Sequence, residues 1–176
     1  MKKILSSLVL ALVISLSLAS CSLGDDSAMQ TVKSTNSDLT LEIPASWSEQ
    51  NLNSIASIQM ARLTKEQYLI TIEESAIDFA DEFTLEEYSS IIMGNMQNAV
   101  TDLEGIPVIE DVKVGNDIDA KQFELTCAVD KIKVKYLVTC IDVDGTFYQF
   151  VQWSLQSKYD AAKPVFDDIL KSTIFN

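Results

Sequence analysis

The sequence contains no histidine and few basic residues: 13 lysines and arginines stand against 26 acidic residues, for a formal charge of −13. Without an imidazole, the chain cannot use histidine to activate a nucleophile, to shuttle protons or to bind a metal. The excess of negative charge also opposes binding to nucleic acid, whose phosphates need basic partners. Histidine-dependent enzymes and nucleic-acid-binding proteins are therefore excluded as function classes.

Long apolar runs are also missing, apart from a short one near the N-terminus. Met1-Lys2-Lys3 is cationic, and residues 4–18 are apolar except for serines. A segment of about fifteen residues is shorter than the roughly 20 that a membrane-spanning helix needs. A short positive segment followed by a short apolar one is typical of a secretory signal.

The signal ends in Leu18-Ala19-Ser20-Cys21. This stretch resembles the lipobox of bacterial lipoproteins at all four positions. The resemblance implies that the Cys21 thiol accepts a diacylglyceryl group and that cleavage after Ser20 leaves Cys21 as the new N-terminus. Two or more acyl chains hold a protein stably on a bilayer, where one is marginal. The alternative is an ordinary secreted protein with an incidental cysteine.

Removal of residues 1–20 takes away Lys2 and Lys3 and no acid, which leaves 11 basic and 26 acidic residues and a charge of −15. The remaining 156 residues suit a single domain with a proper core. An anionic bilayer repels so acidic a protein, so we expect the domain to stand off the membrane on its tether.

The composition divides the chain into three parts. Residues 1–20 are a lipoprotein signal peptide, and residues 21–37 are a lipidated N-terminus and flexible linker. Residues 31–34 within that linker are a candidate first edge strand. Residues 38–176 form the globular domain.

The first half of the domain begins with strands. Leu39, Leu41 and Ile43 alternate with polar residues and indicate a half-buried strand that Pro44 stops. Residues 55–63 and 67–76 read as two further strands joined by a polar turn.

A helix follows an acidic stretch. Thr84 and Glu87 form a capping box, and the chain then carries an apolar stripe at spacings of three and four. The stripe comprises Leu85, Tyr88, Ile92, Met96, Ala99 and Leu103. Gly105 and Pro107 are predicted to end the helix.

The second half is rich in strands. Residues 108–115 are a short strand, and residues 123–129 and 132–140 form a hairpin around an Asp130-Lys131 turn. Asp144-Gly145 is a second hairpin signal. Residues 147–153 are apolar on both faces, which is typical of a strand covered on each side.

A final helix is predicted over residues 160–171, with Pro164 in its first turn. Two helices and one sheet that is covered on both faces predict an α+β fold. We expect an α/β/α sandwich whose central, mainly antiparallel sheet carries a helix on each face.

Residues 41–47, Leu-Glu-Ile-Pro-Ala-Ser-Trp, resemble the strand–Pro–x–x–Trp opening of PsbP and Mog1-like domains. The order of elements over residues 31–175 is similar to that family, and Tyr136-Leu137-Val138-Thr139 followed by Tyr148-Gln149 resembles its meander. Better-known members are accessory proteins, namely an extrinsic photosystem II subunit and a regulator that binds a small GTPase. The resemblance implies a PsbP-like domain over 38–176 that docks to partners and is not an enzyme.

Cys127 and Cys140 invite a disulfide in an extracytoplasmic protein. With Asp130-Lys131 as the turn, however, Cys127 faces Val134, and Cys140 faces Lys121. The two thiols are then about 20 Å apart along the strands, beyond the roughly 7 Å limit on Cα separation for a bridge. We expect two buried free cysteines.

Acidic residues suggest two other kinds of site. Asp142-Val143-Asp144-Gly145 looks like part of a calcium loop, but position 12 of an EF-hand would be Trp153, so a hairpin turn is the better interpretation. Seven carboxylates between Glu73 and Glu87 could bind a cation weakly, or form a solvated rim. A hydrolase could pair Asp142 with Asp144, but it would need a deep pocket.

Lys131, Lys133 and Lys135 form the one basic cluster of this acidic chain. They are either a contact point for an acidic partner or surface polymer, or a solvated face with Lys135 diagonal to Glu124. Trp47 is either a recognition residue or a plug at the end of the core.

These observations favour a lipid-anchored, extracytoplasmic binding or assembly protein without catalytic activity or cofactor. Its partners would be the membrane, through the lipid anchor, and an unknown protein or surface polymer. A small-molecule or divalent-cation-binding lipoprotein is the alternative, and a carboxylate-based hydrolase is a third hypothesis.

Overall fold

The computed structural model describes residues 28–175. Within them the strands, in chain order, are β1 (Met29–Lys33), β2 (Leu39–Pro44), β3 (Ser48–Glu49), β4 (Ile58–Arg62), β5 (Gln67–Ser75), β6 (Thr101–Glu104), β7 (Glu110–Val114), β8 (Ile118–Val129), β9 (Ile132–Val143), β10 (Thr146–Leu155) and β11 (Ile174–Phe175). The α-helices of this region are α1 (Leu85–Ala99) and α2 (Tyr159–Lys171). Three short 3-10 helices cover Leu63–Lys65, Ala76–Asp78 and Gln156–Lys158.

The strands form two sheets in which every described pairing is antiparallel. The large sheet has the order β3-β4-β5-β10-β9-β8-β6, and β7 also pairs with β8. The small sheet has the order β1-β2-β11.

Each face of the large sheet is covered. On one face, Tyr88, Ile92 and Met96 of α1 join the core cluster that contains Val138 and Phe147. On the other face, α2 and the small sheet form a second cluster. The α/β/α sandwich with an antiparallel central sheet is thereby confirmed.

The sequence predicts one sheet, whereas the described residues form a second, small one. Leu39, Leu41 and Ile43 pack with α2 on one face of β2, as their alternation with polar residues predicts, and Thr40 on the other face is also buried. The strand is confirmed, but it is more buried than predicted, since Thr40 is 8% exposed and Glu42 is partly buried, and it lies between β1 and β11 in the small sheet. Alternation along one strand does not show which sheet the strand joins.

The prediction for β10 is confirmed. Phe147, Val151 and Trp153 pack on the α1 side, whereas Tyr148 and Phe150 pack on the α2 side. The strand lies between β5 and β9, so it has a neighbour at each edge and a layer on each face.

The β8–β9 hairpin has the predicted register, in which Cys127 faces Val134 and Lys121 faces Cys140. Asp130 and Lys131 both have positive φ angles, of 50° and 70°. A two-residue turn with positive φ at both positions matches the twist of the strands that it joins.

Helix α1 begins as predicted and ends earlier. The Thr84 hydroxyl accepts from the Glu87 amide at 3.2 Å, and the Glu87 carboxylate accepts from the Thr84 amide at 2.9 Å. The helix ends at Ala99, however, and Leu103 lies in β6. Two β-branched residues, Val100 and Thr101, follow Ala99 and favour extended backbone, and Thr101 pairs with β8.

Pro164 is the sixth residue of α2, not part of its first turn as predicted, because the helix starts at Tyr159. Its side chain is exposed. At this position proline leaves the carbonyl of Asp160 without an intrahelical donor, and solvent on the exposed side can satisfy that group.

Strand β1 shows regular structure before Asp38, within the segment expected to be a linker. The candidate edge strand at residues 31–34 is observed as Met29–Lys33, and its pairing with β2 runs from Met29–Pro44 to Lys33–Thr40.

Candidate functional site

A groove opens beside β8 where two strands share its outer edge. β6 places Glu104 opposite Thr126, and β7 places Glu110 opposite Gln122. Neither strand places a residue opposite Glu124, which lies between those positions. Residues 105–109 connect β6 to β7 across this gap.

The local sequence explains why the connection does not continue as a strand. Gly105 has a φ of +75°, a conformation that L side chains rarely adopt, and Pro107 has no amide hydrogen to donate to a sheet. Pro107 is buried, whereas Ile106 and Val108 on either side of it are 89% and 66% exposed. Two large apolar side chains are therefore exposed to solvent, one on each side of Pro107.

The groove has a volume of about 400 Å³. Ile106 and Val108 form its apolar lip, Gln122 and Glu124 belong to β8, and Lys163 reaches it from α2. It therefore combines an apolar rim with polar and charged groups.

Two charged residues of the groove, Glu124 and Lys163, are compensated within the domain. Lys135 Nζ lies 2.6 Å from Glu124 Oε2, and the Tyr159 hydroxyl donates to Glu124 Oε1 at 2.9 Å. Burial raises the pKa of Glu124, but the hydrogen bonds from Lys135 and Tyr159 outweigh that effect, so the pKa lies below its ordinary value. Lys163 Nζ is 2.9 Å from Asp167.

One backbone position in the groove is open. The carbonyl of Ala128 on β8 accepts a hydrogen bond from the Thr101 hydroxyl, so it points toward β6. Alternate residues of a strand direct their backbone groups to opposite edges. Glu124, four residues before Ala128, therefore directs its amide and carbonyl toward the same edge, where no strand faces it.

The predicted lysine cluster is mostly paired. Lys133 forms an ion pair with Glu104, and Lys135 lies diagonal to Glu124 as the alternative interpretation predicted. Lys135 Nζ is also 4.4 Å from the centre of the Tyr159 ring. Lys131 lies in the hairpin turn and is exposed, so the three lysines do not form one free basic face.

Asp142 and Asp144 are both exposed beside the β9–β10 turn, in which Asp144 and Gly145 have positive φ angles. The hairpin interpretation is confirmed. A paired-carboxylate hydrolase at this position needs a deep pocket, and the exposed turn contradicts that hypothesis. Within residues 28–175 no group of three or more histidine, cysteine or acidic residues is placed to bind a metal ion.

Cys127 and Cys140 are free and buried, as predicted. Burial raises the pKa of Cys127 to about 11 and that of Cys140 to about 12. Trp47 is 3% exposed and makes an edge contact with Phe166 at 6.4 Å between ring centres, so it plugs the core.

Cys21 and the cleavage residues Leu18, Ala19 and Ser20 lie outside the described residues. In the part of the chain that is described, neither helix is long and apolar enough to span a bilayer.

Sequence reasoning missed the groove. The prediction that α1 continues to Gly105 and Pro107 leaves no loop in which Ile106 and Val108 could be exposed together. The sequence does contain a signal for this loop. The β-branched residues Val100 and Thr101 favour a strand, and a helix that ends before them leaves Ile106-Pro107-Val108 as a loop.

No protein family model matches the chain, and no curated protein sequence matches it. Solved structures do show the same fold. The solution structure of cyanobacterial PsbP (CyanoP) from Synechocystis has a TM-score of 0.65 at 16% identity, with 90% of this chain and 99% of that chain covered.

Two other solved structures are similar to this chain. LpqN, described as involved in cell envelope biogenesis of Mycobacterium tuberculosis, has a TM-score of 0.60 at 13% identity, covering 85% of this chain and 91% of that chain. The Ran-binding protein Mog1p of Saccharomyces cerevisiae has a TM-score of 0.57 at 8% identity, covering 84% and 95%. At these identities the likeness shows the fold alone, which is the PsbP and Mog1-like fold.

Proposed function

We propose that this protein is a lipid-anchored, extracytoplasmic binding module that docks another protein at the β6–β7 groove and does not catalyse a reaction. The anchor is the Cys21 thiol. Its support is the order of the N-terminal features: a cationic start, an apolar run too short to span a bilayer, and Leu18-Ala19-Ser20-Cys21. The similar fold of LpqN, an envelope-biogenesis protein, agrees with a place outside the cytoplasm.

The observation that carries the docking function is the exposure of Ile106 and Val108 at the lip of the groove. Ile106 and Val108 lie on either side of the buried Pro107 and offer an apolar surface to a partner. The Ran-binding protein Mog1p shows that this fold can serve protein recognition.

The partner is an extended polypeptide segment. Glu124 directs its backbone amide and carbonyl into the groove without an opposing strand, so a partner can supply the missing hydrogen bonds. An apolar side chain of the same segment would pack on Ile106 and Val108. The alternative of a surface polymer offers neither a peptide backbone nor an apolar side chain to this groove.

A small-molecule-binding lipoprotein is the second candidate, because about 400 Å³ lies within the range of small-ligand pockets. A thermal-shift screen with Ca²⁺, Mn²⁺ and common metabolites separates the two, since a bound ligand raises the melting temperature. A clear shift with a metabolite would favour this second function.

Photo-crosslinking in intact cells tests the docking function. p-Benzoylphenylalanine replaces Ile106 in one variant and Ile91 in a control, because Ile91 is 48% exposed but lies in α1 on the opposite face. We expect position 106 to crosslink a defined protein that position 91 does not. The crosslinked peptide should lie in an extended segment of that protein.

A second pair of variants shows whether the groove is responsible. Val108→Asp places a charge on the lip and should abolish the crosslink from position 106. Ile77→Asp makes the same kind of change at a residue that is 92% exposed elsewhere, and should leave the crosslink intact. Identical products from positions 106 and 91, or a crosslink that survives Val108→Asp, would contradict docking at the groove.

A further inference from the structure

One position at the outer edge of β8 is left for a docked segment to fill. β6 places Glu104 opposite Thr126, β7 places Glu110 opposite Gln122, and Glu124 between them faces no strand. A segment that pairs with the backbone of Glu124 therefore places one residue between Glu104 and Glu110. We call this residue of the partner the gap residue.

The sheet directs the side chain of the gap residue to the α2 side. Residues that lie opposite each other on neighbouring strands share a face, and the Glu124 carboxylate accepts a hydrogen bond from the Tyr159 hydroxyl of α2 at 2.9 Å. Lys163 of α2 also lines the groove. The gap residue therefore points its side chain into the groove, beside that of Glu124.

Both flanking glutamates lie on this same face. Glu110 faces a β8 residue two positions before Glu124, so its side chain has the same orientation. Glu104 forms an ion pair with Lys133, which shares the α2 face of β9 with Lys135. Residues two apart on a strand are separated by about 7 Å, so the gap residue has carboxylates within reach on both sides.

The charged side chains around the gap leave one carboxylate without a partner. Three ion pairs surround the gap and join Glu104 to Lys133, Glu124 to Lys135 and Asp167 to Lys163. Glu110 is exposed and forms no ion pair with any of the described residues. The gap therefore carries one uncompensated negative charge, which belongs to Glu110.

The wider surroundings do not offset this charge. Lys121, on the other face of the sheet, is already paired with two carboxylates. Asp102 on β6 and Asp160 on α2 are further exposed acids without an ion pair in the described part of the chain. Lys131 lies at the β8–β9 turn, about 20 Å from Glu124 along β8, which exceeds the Debye length of about 8 Å at physiological ionic strength. The electrostatics of the gap therefore favour a cation.

The apolar lip suits the remainder of a basic side chain. Ile106 and Val108 line the same groove as Glu110. Lysine and arginine can lay their methylene groups along apolar surface while the charged head group reaches a polar partner. One basic residue can therefore contact the apolar lip and Glu110 together.

We infer that the segment docked in the groove carries a lysine or arginine as its gap residue, and that the cationic head group pairs with Glu110. The aliphatic part of that side chain packs on Ile106 and Val108. This inference rests on the proposed docking of an extended segment at the groove, and it names the chemistry of that segment. The formal charge of −13 also steers a basic segment toward the domain.

Charge reversal at Glu110 tests the inference within the crosslinking experiment. p-Benzoylphenylalanine at position 106 is combined with Glu110→Lys, or with Asp78→Lys as a control that makes the same change in net charge. Asp78 is exposed, has no ion pair among the described residues, and follows β5, which β10 and β9 separate from β8. We expect Glu110→Lys to reduce the crosslink yield about tenfold and Asp78→Lys to leave it unchanged.

A charge swap then identifies the pair directly. The crosslinked segment is sequenced and synthesised with its basic gap residue or with glutamate in that place, and the Kd of each peptide is measured for the natural protein and for Glu110→Lys. We expect the natural protein to bind the basic peptide about tenfold more tightly. Glu110→Lys should reverse this preference, a result that misfolding of the variant could not produce.

The outcomes separate this inference from the docking function. A crosslinked segment without lysine or arginine, a yield that Glu110→Lys does not change, or equal Kd values for the two peptides would overturn the basic gap residue. Docking would still stand in those cases if Val108→Asp abolishes the crosslink. Absence of any crosslink from position 106 would refute docking at the groove, and the inference with it.

Discussion

Lys135 lies diagonal to Glu124 across the β8–β9 hairpin, with its Nζ 2.6 Å from Glu124 Oε2. The Tyr159 hydroxyl of α2 donates to Glu124, and the Tyr159 ring lies against Lys135 Nζ. A charged network therefore joins the sheet to the helix beneath the groove. The sequence left open whether Lys135 contacts a partner or pairs diagonally with Glu124; the structure shows the pair, which lies at the floor of the groove.

Replacement of Glu124 by glutamine tests this network. Because the pKa of Glu124 is held below its ordinary value, its charge stabilises the fold above about pH 4 and that contribution is lost as the pH falls through the lowered pKa. We expect Glu124→Gln to reduce the free energy of unfolding by about 1 kcal/mol at pH 7, allowing for partial solvent screening.

Urea denaturation at pH 7 and near pH 3 measures the effect, and the difference from the natural protein should shrink at the lower pH. Glu49→Gln, at an exposed position of β3, is the control. A deficit of equal size at both pH values would show that the charge of Glu124 is not responsible.

The two buried cysteines predict a specific alkylation pattern in a variant that lacks Cys21. Burial raises the pKa of Cys127 to about 11 and of Cys140 to about 12, so iodoacetamide at pH 8 should modify neither in the folded protein. Denaturation without reductant should expose both thiols to alkylation, which mass spectrometry reads directly. Two unmodified cysteines after denaturation would mean that they form a disulfide.

Gly115 ties the β7–β8 turn to the end of α2. Its amide donates to the Leu170 carbonyl at 3.1 Å, and a Cβ at this position would meet the Thr173 carbonyl oxygen at 2.3 Å. Gly115→Ala should therefore lower the melting temperature more than Gly145→Ala, since both glycines have positive φ but only Gly115 is crowded. Equal melting temperatures for the two variants would argue against this close contact.

The capping box of α1 predicts a modest loss of stability on mutation. Thr84→Ala removes the hydroxyl that accepts from the Glu87 amide and should cost about 1 kcal/mol of unfolding free energy. Thr64→Ala, in the exposed β4–β5 turn, provides a control in which no cap is lost. Chemical denaturation that finds both variants equally stable would rule out a stabilising cap.

Local chemistry explains which parts of the fold were predictable from sequence. The Asp130-Lys131 turn sets the register of β8 and β9, because a two-residue hairpin leaves no freedom in pairing. β10 was recognisable because apolar residues on both faces require cover on both sides. These features depend on neighbours in the chain.

The features that sequence reasoning missed depend on distant contacts. β2 joins the small sheet through β11, which lies at the opposite end of the chain. Val100-Thr101 gives a local signal for the end of α1, but the position of the following strand depends on the pairing of Thr101 with Ala128. The groove exists because β6 and β7 leave a gap opposite Glu124, and no local pattern encodes a gap between two strands.

The proposed attachment of the domain to a membrane by lipid at Cys21 can be measured directly. Cells that express the protein are grown with labelled palmitate, and the label on the natural protein is compared with that on Cys21→Ala. We expect label on the natural protein and none on Cys21→Ala, with the variant released from the membrane fraction. Absence of label on the natural protein, or label that survives Cys21→Ala, would contradict it.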